Sequence, residues 1–396
     1  MAKRFKATVN PALLTWARST ASYEIPEAAE KLKIDADALA AWEAGAEQPS
    51  IAQLRKIASL YKRPLAVLYL PQPPVDFQAM HDFRRLPDFG PRRFSPGLTL
   101  EVRRAQQRRE LAIELYAENQ AEPVRLALTT NERANPEAVG EQIRTALGVR
   151  YDQQRRWGNQ IVAFREWRSR IEEAGVLVFQ ATRVESDEAS GFAFWAETFP
   201  FIVVNRKDVY PRRTFSLIHE LAHLMLRQTG VSEANVDAPR AEADARIEVF
   251  CNQVAAAALM PRVLFLAEPL VTQRQGVQEW PDDAIEALSG TYNTSREAVV
   301  RRLLTLGRVT QEFYNRKRNQ YAAEFRAQRQ REREARGDDG IPRNMPRETI
   351  ADFGRPFVRA VIENYHQDRI TLSEVSGYLG VKVRHIPVIE SQIGMS

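Results

Sequence analysis

Apolar residues recur at helical spacing between residues 8 and 70: Leu13, Leu14, Trp16 and Ala17, then Ala28, Ala29 and Leu32, then Leu39 and Trp42, then Leu54, Ile57, Ala58 and Leu60. Breakers separate these groups into short helices. Pro26 suits a first turn, Asp35 suits the cap of the next helix, Gly45 its end, and Pro49-Ser50 another start. Pro71, Pro73 and Pro74 mark a linker, and an arginine-rich stretch from 84 to 109 leads into helical sequence as far as about residue 121. From residue 160 the period changes. A helix over 164–174 is followed by strand patterns at 175–180, 191–195 and 200–205. The run Phe215 to Leu226 is apolar on nearly every side and predicts a buried helix, capped by Thr214 and stopped by Gly230; a second helix runs from about Pro239 to Met260.

Beyond residue 310 the pattern turns basic and polar, which predicts an exposed charged helix ending at Gly337-Asp338-Asp339-Gly340. Apolar spacing returns over 350–392, and no repeat of fixed period is present. These patterns predict a mainly α chain with a small β-sheet, an α+β fold. Its segments are 1–74, 75–150, 151–310, 311–349 and 350–396.

Composition narrows the picture. With 396 residues, 44% hydrophobic and 27% charged, the chain has room for two or three soluble globular domains. No apolar run approaches the roughly 18 residues that would span a bilayer, and no apolar stretch follows the basic start, so a cytoplasmic protein without membrane contact is expected. Cys251 is the single cysteine, which excludes an internal disulfide framework and a cysteine-rich zinc cage. Any metal would therefore be held mainly by His, Asp and Glu. A net charge of +5 is too dilute over this length to mark a nucleic-acid surface.

The candidate chemistry lies in His219-Glu220-Leu221-Ala222-His223. On a helix, positions i and i+4 stand one above the other, so both imidazoles aim at one point, and Glu220 can reach a water held there. The spacing is the one a zinc hydrolase needs. Two buried imidazoles and a carboxylate without partners would cost several kcal/mol, a difficulty that a bound cation removes. A third ligand is expected downstream among Glu233, Asp237, Glu242, Asp244 and Glu248. Glu248 is favoured because it sits among Ile247, Val249 and Phe250, with Asn252 one turn on as a partner for a ligating histidine. Cys251 reads as a small buried hydrophobe.

These residues resemble the ImmA/IrrE metallopeptidases that follow a helix-turn-helix domain in one chain. The resemblance rests on 200–205, on Arg213 to Leu224 around the two histidines, on Glu248, Asn252, Ala255, Leu259, Met260 and Pro261, and on a repressor-type pattern between Val9 and Val67. It covers roughly residues 8 to 310. It implies a gluzincin-like core with one catalytic zinc held by His219, His223 and Glu248, and with Glu220 as the base. It also implies a protein substrate, a transcriptional repressor or antitoxin-like regulator, cleaved in a stress, prophage or mobile-element response.

Gly191, Phe192, Ala193, Phe194 and Trp195 are expected to form an edge strand that holds an extended substrate. Tyr210, Tyr292, Tyr314 and His366 are open alternatives for stabilising an oxyanion. DNA contact through the first domain is weakened by its recognition-helix segment, 35–43, which has three acids and no Arg, Lys, Asn or Gln. Dimerisation or protein docking suits that helix as well. In a second helix-turn-helix-like stretch, 283–306, Arg296, Arg301 and Arg302 are expected to solvate a surface while Val299, Val300 and Leu303 pack inward. The competing reading is a non-catalytic DNA-binding or antitoxin-like regulator with a structural metal site. Glu220 favours the enzyme, because a structural site needs no base.

Overall fold

A computed structural model describes residues 6–74, 94–233, 242–274, 276–336 and 344–394. The chain divides into two compact units, Met1–Gln106 and Gln107–Ser396.

The first unit is helical: α1 (Pro11–Ser19), α2 (Ile25–Leu32), α3 (Ala36–Glu43), α4 (Ile51–Tyr61) and a 3-10 turn at Leu65–Tyr69. Leu13, Leu14, Ala28, Leu39, Leu54 and Ile57 are buried, as their spacing predicts. Local chemistry sets the helix ends. Asn10 accepts from the Ala12 N–H, and Ser50 with Gln53 forms a reciprocal capping box on α4. Asp35 occupies the cap position of α3, but its side chain makes no capping bond. Inside the unit, Arg18 grips both Glu43 oxygens at 2.8 Å. The helix α5 (Pro96–Glu118) carries the chain out of this unit.

In the second unit, α6 (Pro136–Ala146), α7 (Tyr151–Arg156) and α8 (Gln160–Glu173) precede the sheet. Its strands are β1 (Leu177–Ala181), β2 (Ala189–Phe194), β3 (Phe201–Asn205) and β4 (Gly230–Glu233), in the order β1-β3-β2-β4. β1 and β3 are parallel; β2 is antiparallel to β3 on one side and to β4 on the other. All residues of β1 and β3 are buried, which explains sequences that are apolar except at Gln180 and Asn205. Val178, Ala193, Ile202 and Val204 join one core with residues of the helices below. On the opposite face Phe179, Phe192 and Phe201 cluster, with Phe357 edge-on to Phe179.

The sheet leads into α9 (Tyr210–Met225), and α10 (Glu242–Leu259) packs against it. Short helices α11 (Arg262–Leu266) and α12 (Pro269–Thr272) follow, then α13 (Asp282–Tyr292), α14 (Arg296–Thr305) and the long α15 (Gln311–Arg336). The chain closes with α16 (Met345–Phe353), α17 (Arg355–His366), α18 (Leu372–Leu379) and α19 (Ile386–Ile393). α16 packs on β1, and Arg206 pairs with Asp352 at 2.8 Å.

Several expectations need correction. α9 starts at Tyr210 with Pro211 in its first turn, so Thr214 lies inside the helix and bonds back to the Tyr210 carbonyl. The helix ends at Met225, and Gly230 opens β4, a strand too short for its pattern to register. β2 is hydrogen-bonded on both sides, so 191–195 is an inner strand; the edges belong to β1 and β4. Arg302 is buried rather than solvated, holding Glu137 at 2.7 and 2.8 Å and the Met260 carbonyl at 2.9 Å. Val299, Val300 and Leu303 are buried as expected.

Candidate metal centre

Of the sixteen residues of α9, twelve are buried, among them His219, Glu220 and His223. Leu217, Leu221 and Leu224 fix the helix in the core, leaving the imidazoles on the face turned to α10. There Glu248 completes the cluster. The two Nε2 atoms stand 3.1 Å apart, and Glu248 oxygens lie 3.4 Å from His219 and 3.2 Å from His223. His219, His223 and Glu248 are the group of three among the described residues whose donor atoms could share an ion. Ligand bonds of about 2.0–2.1 Å in a tetrahedron put donor atoms roughly 3.3 Å apart, so the observed spacings fit zinc. His219 Nδ1 is buried without a hydrogen-bond partner, which leaves the ring's Nε2 as its contact with the cluster.

Electrostatics bind the three together even without an ion. Burial lowers the His223 imidazole, but Cys251, Glu248 and Glu220 around it more than reverse this and hold it well above its ordinary value. Burial raises Glu248, and the two imidazoles overcome that and hold it well below the carboxylate range. Cys251 is buried and hydrogen-bonds His223, with its thiol pushed up by burial. It thus meets that ring, where the sequence reads it only as a small buried hydrophobe.

Glu220 is fully buried beside the cluster. Gly191 of β2 passes so close that a Cβ there would meet Glu220 Oε1 at 3.1 Å and the Val203 carbonyl at 2.8 Å. Glycine is what lets the strand and the carboxylate share this space. Glu220, His219, Glu248 and Asn252 line a cleft of about 1040 Å³. Ser190 lines it too, accepting from Arg212, which also pairs with Asp208 at 3.4 Å.

The other expected substrate residues face elsewhere. Phe192 belongs to the aromatic cluster, Ala193 to the core, Phe194 stacks on Phe201, and the Trp195 N–H bonds Thr229. None of the four oxyanion alternatives lines the cleft among its described residues. Tyr292 hydrogen-bonds Tyr151 and Glu268, Tyr314 holds Glu297, His366 pairs with Glu390, and the Tyr210 ring lies against Phe164 and Arg213. Of the rival ligands, Glu233, Glu242 and Asp244 have side chains outside the described set, and Asp237 lies outside the described residues altogether.

Residues 171–304 match the family model of the IrrE N-terminal-like domain, Peptidase_M78. This stretch is similar to metallopeptidases of the ImmA/IrrE type. It holds every residue of the metal cluster and covers about a third of the chain. No curated protein matches the chain. Among the described residues, no helix is long and apolar enough to cross a membrane.

Proposed function

We propose that the chain is a zinc-dependent endopeptidase acting on a regulatory protein, with His219, His223 and Glu248 as ligands and Glu220 as base. The observation that carries this reading is the convergence of three donor atoms within 4.8 Å of one another, beside a buried glutamate at the wall of an open cleft. Zinc bound there would acidify a water and polarise the scissile carbonyl. Glu220 takes the proton of the attacking water and delivers it to the leaving amine. Its burial between α9 and Gly191 holds the carboxylate in one place, which favours a repeated proton transfer over a single binding role. Arg212, fixed by Ser190 and Asp208 two helical turns before His219, supplies a cationic donor on the same wall.

The substrate is expected to be a repressor or antitoxin-like protein. The first unit, with its repressor-type pattern, would serve recognition of that protein more readily than base reading, since Asp35 and Asp37 are exposed on α3. The test compares cleavage of a co-encoded repressor by zinc-loaded wild type and by Glu220→Gln. Loss of cleavage with zinc content retained is expected; equal cleavage would remove Glu220 from the chemistry and favour a regulator with a structural metal.

A further inference from the structure

α15 lies beyond the family-matched stretch, and its sequence is mostly that of a solvated helix. Its first half is nevertheless fixed in place. Phe313, Tyr314 and Tyr321 are buried, Tyr321 and Lys317 both donate to Asp282 at 2.8 Å, and Arg296 bonds Glu324 at 2.6 Å while stacking on the Tyr321 ring. One turn beyond Tyr321 comes Phe325. It is half-buried and lines the cleft that His219, Glu220 and Glu248 also line. A phenylalanine left partly in water on so polar a helix is unfavourable unless something covers it.

α9 shows the same departure. From Leu217 to Met225 every apolar side chain of that helix is buried, whereas Phe215 is only half-buried and lines the cleft. Its ring lies 29° from parallel to the His219 imidazole with centroids 6.4 Å apart, so apolar surface begins one side chain away from a candidate ligand. Ala298 of α14 and Ala322 of α15 belong to the same lining. Small residues beside two half-buried rings leave room for an apolar group brought by another molecule. An extended peptide advances about 3.3 Å per residue, so a side chain reaching Phe215 belongs to a residue within about two positions of a carbonyl held at the metal.

We infer that Phe325 is a specificity-determining residue: with Phe215 it receives a large apolar side chain of the substrate within about two residues of the scissile bond. The inference rests on the peptidase reading for the bond that is cut, and not for the preference in binding. Zinc-loaded, full-length Glu220→Gln protein is titrated by fluorescence anisotropy with two fluorescein-labelled decapeptides that differ only in a central Phe or Ser. The Phe peptide binds about tenfold tighter. Phe325→Ala removes most of that advantage and Phe325→Leu keeps it. Ala322→Trp, which adds bulk to the same lining at an exposed position, also reduces it. Arg326→Ala, an exposed neighbour outside the lining, leaves it intact. Equal affinity for the two peptides, no binding of either, or an advantage that survives both Phe325→Ala and Ala322→Trp would overturn the inference. Wild-type cleavage of the Phe peptide is mapped separately by mass spectrometry. A cut within about two residues of the Phe is expected, and one farther off overturns the placement. Phe-selective binding without any cut sinks the peptidase reading and spares the role of Phe325 in binding, whereas cleavage indifferent to the Phe does the opposite.

Discussion

In a Gly191→Ala chain the added Cβ would stand 2.8 Å from the Val203 carbonyl oxygen and 3.1 Å from Glu220 Oε1. Both contacts are shorter than ordinary van der Waals separation, the first by roughly half an ångström. The carbonyl belongs to β3, which is buried and paired with both β1 and β2, so it yields little. Relief must come from a displaced strand or a displaced carboxylate. The strand route is overpacking, which costs about 1–3 kcal/mol and appears as a lower denaturation midpoint. The carboxylate route leaves stability nearer to wild type but moves Glu220, and a misplacement near 1 Å costs up to about a hundredfold in rate. Zinc content is expected to be unchanged by either route, because the nearest atoms the added methyl meets belong to Val203 and Glu220. The assay pairs urea unfolding with peptide cleavage and metal analysis of the same preparation. A variant with wild-type midpoint and wild-type rate would refute the claim that Gly191 sets the position of the Glu220 carboxylate.

Other outcomes follow from the same geometry. His219→Ala and Glu248→Ala should each lose bound zinc by elemental analysis, and chelation should lower the wild-type melting temperature; at zinc a hundredfold above Kd the ion adds about 2.7 kcal/mol. Because the His223 imidazole is held above its ordinary value in the ion-free cluster, zinc uptake competes with a proton there, so affinity should weaken as pH falls; titration calorimetry showing no proton release would contradict this. Burial raises Asp352 to about 6 against Arg206 and Arg108, from an ordinary 3.8. The native state then binds this proton more tightly than the unfolded one, so stability is fullest below pH 3.8 and is lost as pH rises through 6, by about 2–3 kcal/mol. Urea midpoints of Asp352→Asn should show a shallower decline over that window. Arg302→Ala strands the Met260 carbonyl and half-buried Glu137, and should cost about 2–3 kcal/mol in equilibrium unfolding.

The parts of the site written in local spacing were legible in the sequence. His219 and His223 four apart, Glu220 between them, and Glu248 within an apolar helix declare their faces through helical period alone, and the structure brings their donor atoms together. The three longer strands were legible as short, mostly apolar runs. What stayed hidden depends on who lies next to whom. Whether 191–195 is an edge cannot be read from 191–195, because β4, which covers it, comes from beyond α9. Arg302 resembles the half-buried Arg296 and Arg301 in sequence; the approach of Glu137, 165 residues away, and of the Met260 carbonyl makes its full burial tolerable. The exposed appearance of α15 is likewise correct for most of its described residues, Gln328 and Arg331 included, and wrong for Phe313, Tyr314 and Tyr321, which are buried.

The part of the cleft lining that α15 supplies is encoded apart from the cluster. The candidate ligands and Glu220 occupy 219–248, and α15 begins only at Gln311. A fragment trimmed where the family likeness stops, at residue 304, would keep all its ligands and forfeit that lining. Drift or shuffling after that point would alter what the cleft admits while leaving the His219, His223 and Glu248 cluster untouched.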